Sequence, residues 1–195
     1  MGAKPDGLFR LEKSKNGGFI VNTYTESRRS YSLNSNNIYD IKEDRFGRIL
    51  VGTYGGGLNI IENPWSDSPR FVNCNNALYR YPDGAKSIHD MLLASDGTLL
   101  IATNSGVFAS ATTHSPRDMR FRQYKRIPSA SESISSNQVM ALLQTKDGTV
   151  YVATYGGGVN IIKKSDLHSE SIRFTALTTE NGMMSDVVLN MCEDG

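Results

Sequence analysis

Two glycine triplets are the residues of this sequence whose type and spacing first suggest chemistry. Gly55-Gly56-Gly57 and Gly156-Gly157-Gly158 each follow a tyrosine and precede an apolar run. A glycine run can cradle a phosphate when it follows a strand, opens a helix and leads directly into Lys-Ser or Lys-Thr. Here the triplets lead into LNII and VNII, which read as strands, and neither is followed directly by such a pair. The triplets are therefore predicted to form turns and not a phosphate site.

The triplets belong to a longer internal repeat. The stretch IYDIKEDRFGRILVGTYGGGLNII begins at Ile38, and VMALLQTKDGTVYVATYGGGVNII begins at Val139. A weaker copy, IHDMLLASDGTLLIATNSGVFAS, begins at Ile88 and keeps one glycine of the triplet. Each copy reads as short strands joined by a tight Asp-Gly or Phe-Gly hairpin and a polar loop. The glycines predicted to serve these turns are Gly47, Gly55, Gly56, Gly57, Gly97, Gly106, Gly148, Gly156, Gly157 and Gly158.

The repeat length predicts the fold class. Four short antiparallel strands in a unit of about 50 residues are typical of a β-propeller blade. The first strands carry apolar residues on both faces, as in VMALL from Val139, and a blade packed between two neighbours requires this. No stretch shows a sustained 3.6-residue apolar period, so almost no helix is expected. We therefore predict an all-β fold, a β-propeller fragment of four-stranded antiparallel blades, with a β-sandwich and a β-solenoid as the rival folds.

The register of the copies predicts where blades begin and end. The predicted units are the second half of a blade at 1–33, whole blades at 34–84, 85–134 and 135–180, and the first strand of a further blade at 181–195. The chain is thus expected to begin at a third strand, GLFRLE, and to be a piece of a larger propeller. Unpaired strand edges promote association. The isolated chain is expected either to self-associate or to close its ends, with GLFRLE and FIVNTYT pairing beside 187–192.

Composition argues against several classes of partner. The chain has 21 Lys and Arg against 20 Asp and Glu, so it lacks the basic excess of a dedicated nucleic-acid binder or an electrostatic membrane anchor. No apolar run approaches the roughly 20 residues that span a bilayer, and no signal peptide is visible. Cys74 and Cys192 form neither a zinc pattern nor a redox pair and are predicted to be free thiols. No metal or cofactor is predicted.

One face of the predicted propeller combines amides with aromatic rings. The loops that enter the first strands, and the turns between second and third strands, lie on the same face of an up-and-down blade. Amides hydrogen-bond hydroxyl groups and rings stack on apolar sugar faces, so this mixture suits a neutral polar ligand such as an oligosaccharide. In the alternative interpretation, Asn and Ser close turns with their own side chains. The candidate ligand-binding residues are Asn36, Asn37, Tyr54, Asn104, Asn137, Gln138 and Tyr155.

No catalytic motif is present in the sequence. His89 lies in a predicted strand as a packed or channel-lining residue, and His114 and His168 lie in polar loops. Convergence of His89 with Asp40 and Asp90 at the channel mouth would favour a propeller enzyme, a lyase or hydrolase. Large apolar patches on the loop face would instead favour a protein-interaction scaffold.

The stretch SLNSNNIYDIKEDRFGRILVGTYGGGLNII closely resembles the two-component regulator propeller repeat. Such repeats run approximately as Leu-x-Ser-Asn-x-Val-x-x-Ile-x-Glu-Asp, then Gly-Asn-Leu-Trp-Ile-Gly-Thr, then Gly-Gly-Leu-Asn. The resemblance covers nearly the whole chain and is weaker in the copy that begins at Ile88. Where the family has Trp in the second strand, this sequence has Leu50, Leu100 and Tyr151. Smaller side chains are therefore expected between the blades, with the fold intact.

The resemblance implies a function. Such repeats build the periplasmic sensor regions of hybrid two-component histidine kinases, which bind glycan fragments and change dimer geometry to set kinase activity. It implies that this segment is a non-enzymatic sensor with an oligosaccharide or other small polar ligand, and with an adjacent propeller or second sensor chain as its protein partner. The resemblance carries over no catalytic residue, because none is common to the family, and the ligand-binding residues vary between its members.

Overall fold

The computed structural model of this chain describes residues 1–167 and 171–194. His168, which was predicted to lie in a polar loop, and Gly195 are outside the described residues. The strands form four separate antiparallel sheets, one of three strands and three of four. Helical structure in the described residues consists of four short 3-10 turns, at Asp83–Ala85, Pro116–Asp118, Lys164–Asp166 and Thr179–Asn181. The predicted all-β propeller fragment is confirmed.

Each four-stranded sheet is a meander of consecutive strands. The opening half-blade contains β1 Gly2–Ala3, β2 Gly7–Lys13 and β3 Phe19–Tyr24. Blade 1 contains β4 Ile38–Glu43, β5 Ile49–Thr53, β6 Gly57–Ile61 and β7 Phe71–Val72. Blade 2 contains β8 Ile88–Leu93, β9 Thr98–Thr103, β10 Gly106–Ala111 and β11 Arg122–Tyr124. Blade 3 contains β12 Val139–Gln144, β13 Val150–Thr154, β14 Val159–Ile162 and β15 Thr175–Leu177. The first strands of successive blades are neighbours, β4 beside β8 and β8 beside β12, as on the inner wall of a propeller.

Blade 2 shows why both faces of a blade must be apolar. Along β9, Leu99 and Ile101 belong to the core shared with blade 1, and Leu100 and Ala102 belong to the core shared with blade 3. All four are fully buried. Leu50 is also fully buried, so in blades 1 and 2 aliphatic side chains fill the space where the related repeats carry Trp, whereas Tyr151 of blade 3 is half-buried. Burial of this kind stabilises the fold by about 1.5–3 kcal/mol per large side chain.

The two ends of the chain differ from the sequence-based expectation. The structure has an additional strand, β1, before the predicted third strand. The sequence did not reveal β1 because a strand of two residues is too short to show an alternating apolar pattern. At the other end, Val187 forms an isolated bridge with Tyr155, and the Val188 N–H donates to the Thr154 carbonyl at 3.0 Å. Residues 188–194 form no strand, and the predicted closure of β2 and β3 beside 187–192 is not seen. Self-association of the chain stays a prediction.

The two glycine triplets lie in the turns between β5 and β6 and between β13 and β14. Gly158 has φ +67°, and a Cβ added there would collide with the Leu177 carbonyl oxygen. Gly157 has an ordinary φ, but its Cβ would approach the Ser135 hydroxyl. The turn therefore needs glycine for two reasons, a left-handed backbone and close packing. Cys74 and Cys192 are both free thiols.

Candidate functional site

The entry segments and the glycine turns meet on one face through backbone hydrogen bonds. The Tyr54 N–H donates to the Asn37 carbonyl at 2.9 Å, and the Tyr155 N–H donates to the Gln138 carbonyl at 2.9 Å. These bonds place an amide-bearing entry residue beside the tyrosine of each triplet turn. The side chains of all four residues are exposed.

A bulge occurs at the same place in every innermost strand. The pairing register shifts between Ile38 and Asp40 in blade 1, and at the equivalent positions in blades 2 and 3. A bulge leaves one residue outside the ladder and redirects its side chain. The residues left outside the ladder are Tyr39, His89 and Met140.

Three rings from blades 1 and 2 form one cluster on this face. The ring centroids of Tyr39 and Tyr54 are 5.5 Å apart, those of Tyr54 and His89 are 6.0 Å apart, and those of Tyr39 and His89 are 6.2 Å apart. The ring planes are inclined by at most 32° to one another. Tyr39 is 41% exposed and Tyr54 is 39% exposed. We call these three residues the aromatic platform.

Two polar side chains border the platform. The Lys4 ammonium lies 3.0 Å from the centroid of the Tyr39 ring, a cation–π contact. The Asn104 amide nitrogen lies 3.4 Å from the Tyr54 hydroxyl oxygen. The strands β1 and β2 pair in the same register as β5 and β6. Lys4 therefore occupies the position in its turn that Tyr54 occupies in blade 1. Asn104 has that place in blade 2.

His89 is fixed by a hydrogen bond to the next blade. Its Nδ1 lies 2.7 Å from the Val139 carbonyl oxygen. A carbonyl oxygen only accepts, so Nδ1 carries the proton in this contact and Nε2 of the neutral ring is an acceptor. The imidazole thereby joins blade 2 to blade 3 while it contributes a ring to the platform.

Two of the predicted ligand-binding amides have a structural task. The Asn36 side-chain oxygen accepts from the Glu26 N–H at 2.6 Å, and the Asn137 side-chain oxygen accepts from the Arg126 N–H at 2.7 Å. Each closes the loop that leads into its blade, which is the alternative left open by the sequence. Of the seven candidates, the structure brings Tyr54 and Asn104 into side-chain contact.

The third blade repeats the motif without the platform. Tyr155 is 52% exposed, and no ring stacks on it among the described residues. The bulged residue of its own blade is Met140, and the equivalent position beyond blade 3 is Leu189. The two positions that carry rings beside Tyr54 therefore hold a methionine and a leucine in the case of Tyr155.

The structure brings Asp40 and Asp90 together on the inner wall. The Met91 N–H lies 2.9 Å from Asp40 Oδ2 and 2.8 Å from Asp90 Oδ1, and the Leu142 N–H donates to Asp90 Oδ2 at 2.7 Å. Lys42 forms an ion pair with Asp40 at 3.2 Å. Burial is the main cause that raises the pKa of Asp90, and the Asp40 charge adds to it. These carboxylates are occupied by bonds that connect successive blades.

Sequence reasoning missed Lys4 and Tyr39 as site residues. Tyr39 lies in a predicted strand, and the bulge that turns its side chain outward leaves no mark in the apolar pattern. Lys4 could have been found by aligning GAKPDGL at Gly2 with GTYGGGL at Gly52, which places Lys4 on Tyr54.

The sequence profile of the two-component regulator propeller family matches residues 32–55 and 133–156. These segments contain the entry loop, the first two strands and the start of the triplet turn in blades 1 and 3. The resemblance seen in the sequence is therefore confirmed. A search of curated protein sequences gives no significant match.

Solved propellers share the fold at low sequence identity. The extracellular domain assigned to a hybrid two-component system of B. thetaiotaomicron has a TM-score of 0.66 and 16% identity, covering 94% of this chain and 26% of that one. Inactive virginiamycin B lyase of Staphylococcus aureus, crystallised with quinupristin, has a TM-score of 0.53 and 18% identity, covering 89% and 50%. YCF48 of Cyanidioschyzon merolae has a TM-score of 0.52 and 15% identity, covering 92% and 55%. At these identities the likeness concerns the fold alone. No helix in the described part of the chain is long and apolar enough to cross a membrane.

Proposed function

We propose that this chain, which carries two-component regulator propeller repeats in blades 1 and 3, is the ligand-sensing propeller segment of a two-component sensor. In this proposal the segment lies outside the cytoplasm, binds a carbohydrate at the aromatic platform, and has no catalytic activity of its own. A histidine kinase elsewhere in the sensor would receive the signal through an adjacent propeller or a second sensor chain.

The repeats support the sensor part of the proposal. They match the family profile at 32–55 and 133–156, and the fold is that of the extracellular domain of a hybrid two-component system. The chain spans 26% of the length of that domain. Signal transfer, the kinase and the periplasmic location therefore belong to the proposal and not to the described segment.

The aromatic platform is the single observation that supports a carbohydrate ligand. Tyr39, Tyr54 and His89 present ring surface and polar edges at one mouth of the inner wall, and Asn104 adds an amide. Sugars offer both an apolar C–H face and hydroxyl groups, so they match a surface that combines rings with hydrogen-bonding groups. Aromatic stacking contributes about 0.5–1.5 kcal/mol beyond the buried area, so a ligand with a flat apolar face should be favoured at this surface.

An enzymatic function is the second candidate, because Asp40 and Asp90 both accept from the Met91 N–H, and Asp90 follows His89 directly in the sequence. Their oxygens accept backbone hydrogen bonds from Ile41, Met91 and Leu142, which favours a structural role. Hydrolase or lyase activity that Asp90→Asn abolishes, while the variant stays folded by circular dichroism, would establish the enzyme candidate.

The proposed function is tested by calorimetric titration of the chain with neutral and acidic oligosaccharides of several linkages. We expect at least one of them to bind saturably, and Tyr54→Ala to weaken that binding. If no oligosaccharide binds to the folded chain, the carbohydrate proposal fails. Binding that Tyr54→Ala and Tyr39→Ala leave unchanged would place the site elsewhere.

A further inference from the structure

We infer that Lys4 makes the aromatic platform selective for a carbohydrate that carries an anionic group, a carboxylate or a sulfate ester, beside a sugar ring. This inference rests on the proposed function, since it specifies the ligand of the same site.

Lys4 is presented at the site and has no acidic partner. Its side chain is exposed, and its ammonium lies on the Tyr39 ring at 3.0 Å from the centroid. Among the described residues no ion pair joins Lys4 to a carboxylate, and the nearest acidic residue in the sequence, Asp6, forms none with it. The positive charge at the rim is therefore available to a ligand that stacks on the platform.

Tyr54 and Asn104 also offer protons at the platform, whereas Nε2 of His89 is an acceptor. The Asn104 amide donates to the Tyr54 hydroxyl oxygen at 3.4 Å, which leaves the hydroxyl proton of Tyr54 directed elsewhere. An ammonium group has three donors and no acceptor. The donors of Lys4, Tyr54 and Asn104 match a ligand rich in acceptors, and carboxylates and sulfate esters are acceptor-rich groups of natural sugars.

The acidic residues that follow Tyr39 and His89 in the sequence do not cancel this preference. Asp40 accepts from the Met91 N–H at 2.9 Å and pairs with Lys42 at 3.2 Å. Asp90 accepts from the Met91 and Leu142 N–H groups. Both carboxylates therefore have partners on the inner wall, whereas the side chain of Lys4 is exposed.

Matched pairs of oligosaccharides test the inference. The chain is titrated calorimetrically with an oligogalacturonate and its methyl ester, and with a sulfated galacto-oligosaccharide and its desulfated form. We expect the acidic member of one pair to bind about tenfold more tightly than its neutral partner, because a hydrogen bond to a charged group is stronger than one between neutral groups. The pair that shows the difference identifies carboxylate or sulfate as the anionic group.

Three variants assign the difference to Lys4. Lys4→Gln should remove the preference for the acidic sugar, and Lys4→Arg should keep it. Lys15→Gln makes the same change of charge in the exposed turn between β2 and β3, at the opposite end of the half-blade, and should have no effect. Equal binding of acidic and neutral partners, or equal effects of Lys4→Gln and Lys15→Gln, overturns the inference. Binding of neutral oligosaccharides alone overturns it and leaves the proposed function standing, whereas binding of no oligosaccharide overturns both.

Discussion

Blade 1 and blade 3 carry nearly the same ten residues, GTYGGGLNII and ATYGGGVNII, yet within the described part of the chain only Tyr54 of the two tyrosines belongs to a ring cluster. Tyr54 stacks on Tyr39 of its own blade and on His89 of the next, at 5.5 and 6.0 Å. Tyr155 has Met140 in its own blade and Leu189 at the following position. The repeated motif therefore builds the turn, and the bulged residue of each innermost strand decides whether that turn becomes a candidate site.

The largest expected difference between the two blades lies at their hairpins. In blade 1 the buried Arg48 pairs with the buried Asp44 at 2.6 Å and donates to the Thr113 and His114 carbonyls of blade 2. In blade 3 the equivalent residues are Thr145 and Thr149. Arg48→Ala should destabilise the chain by about 3–5 kcal/mol because it leaves Asp44 charged and buried. Thr149→Ala should cost about 1 kcal/mol, measured by urea unfolding. If both variants lose a similar free energy of unfolding, Arg48 and its bonds to Asp44 and to blade 2 do not stabilise the chain as described.

The next largest effect concerns the glycines that the two blades share. Gly158→Ala should cost about 3 kcal/mol, since strained φ contributes about 1–3 kcal/mol and the added Cβ also meets the Leu177 carbonyl oxygen. Gly156→Ala faces open space at φ +84° and should cost about 1 kcal/mol. Urea unfolding of both variants measures the difference. If Gly158→Ala unfolds like the native chain, the triplet is not kept for its turn, and a ligand-binding role would need to be reconsidered.

Ligand binding should separate the two tyrosines. Tyr54→Ala removes the central ring of the platform and should weaken oligosaccharide binding about tenfold, whereas Tyr155→Ala should leave it within a factor of two. Because both side chains are partly exposed, the two variants should unfold at nearly the same urea concentration as the native chain. Calorimetry on the pair checks this, and a larger loss with Tyr155→Ala would move the site to blade 3.

The smallest expected effect is a pair of opposite pH dependences. Burial raises the pKa of Asp90, so its contribution to stability is present below the usual Asp pKa near 3.8 and is lost as pH rises through the folded value. Thr145 and Thr149 hydrogen bonds lower the pKa of Asp147, so its contribution is present at neutral pH and is lost as pH falls below the usual value. The free energy of unfolding of the native chain relative to that of Asp90→Asn should decrease from acid to neutral pH. Relative to that of Asp147→Asn, it should increase. Unfolding curves at several pH values that show the same slope for both variants would refute this assignment.

The sequence predicted the blades because their causes are local and periodic. Asp-Gly hairpins, short alternating strands and a repeat of about 50 residues recur at Ile38, Ile88 and Val139, and each follows from turn chemistry or from burial on two faces. The strand β1 was not predicted. The turn that follows it, Lys4 to Asp6, has the same length as the glycine turns but contains none of their glycines.

Only about half of the residues of the candidate site could be predicted from the sequence. Tyr54 and Asn104 were identified from their turns, but Tyr39 and His89 join them through a bulge and across a blade boundary. Such contacts depend on how blades are placed side by side, which no local pattern encodes. Asn36 and Asn137 were selected for their residue type, and their bonds to Glu26 and Arg126 became visible only with the loop geometry.

The central claim, that the platform and not the isolated tyrosine binds the ligand, is tested most directly by fluorine NMR. The chain is labelled with 3-fluorotyrosine, its signals are assigned with single Tyr→Phe variants, and the tightest-binding oligosaccharide of the calorimetric series is added. We expect the signals of Tyr39 and Tyr54 to shift with saturation while that of Tyr155 stays in place. A shift of Tyr155 with unmoved Tyr39 and Tyr54 signals would contradict it.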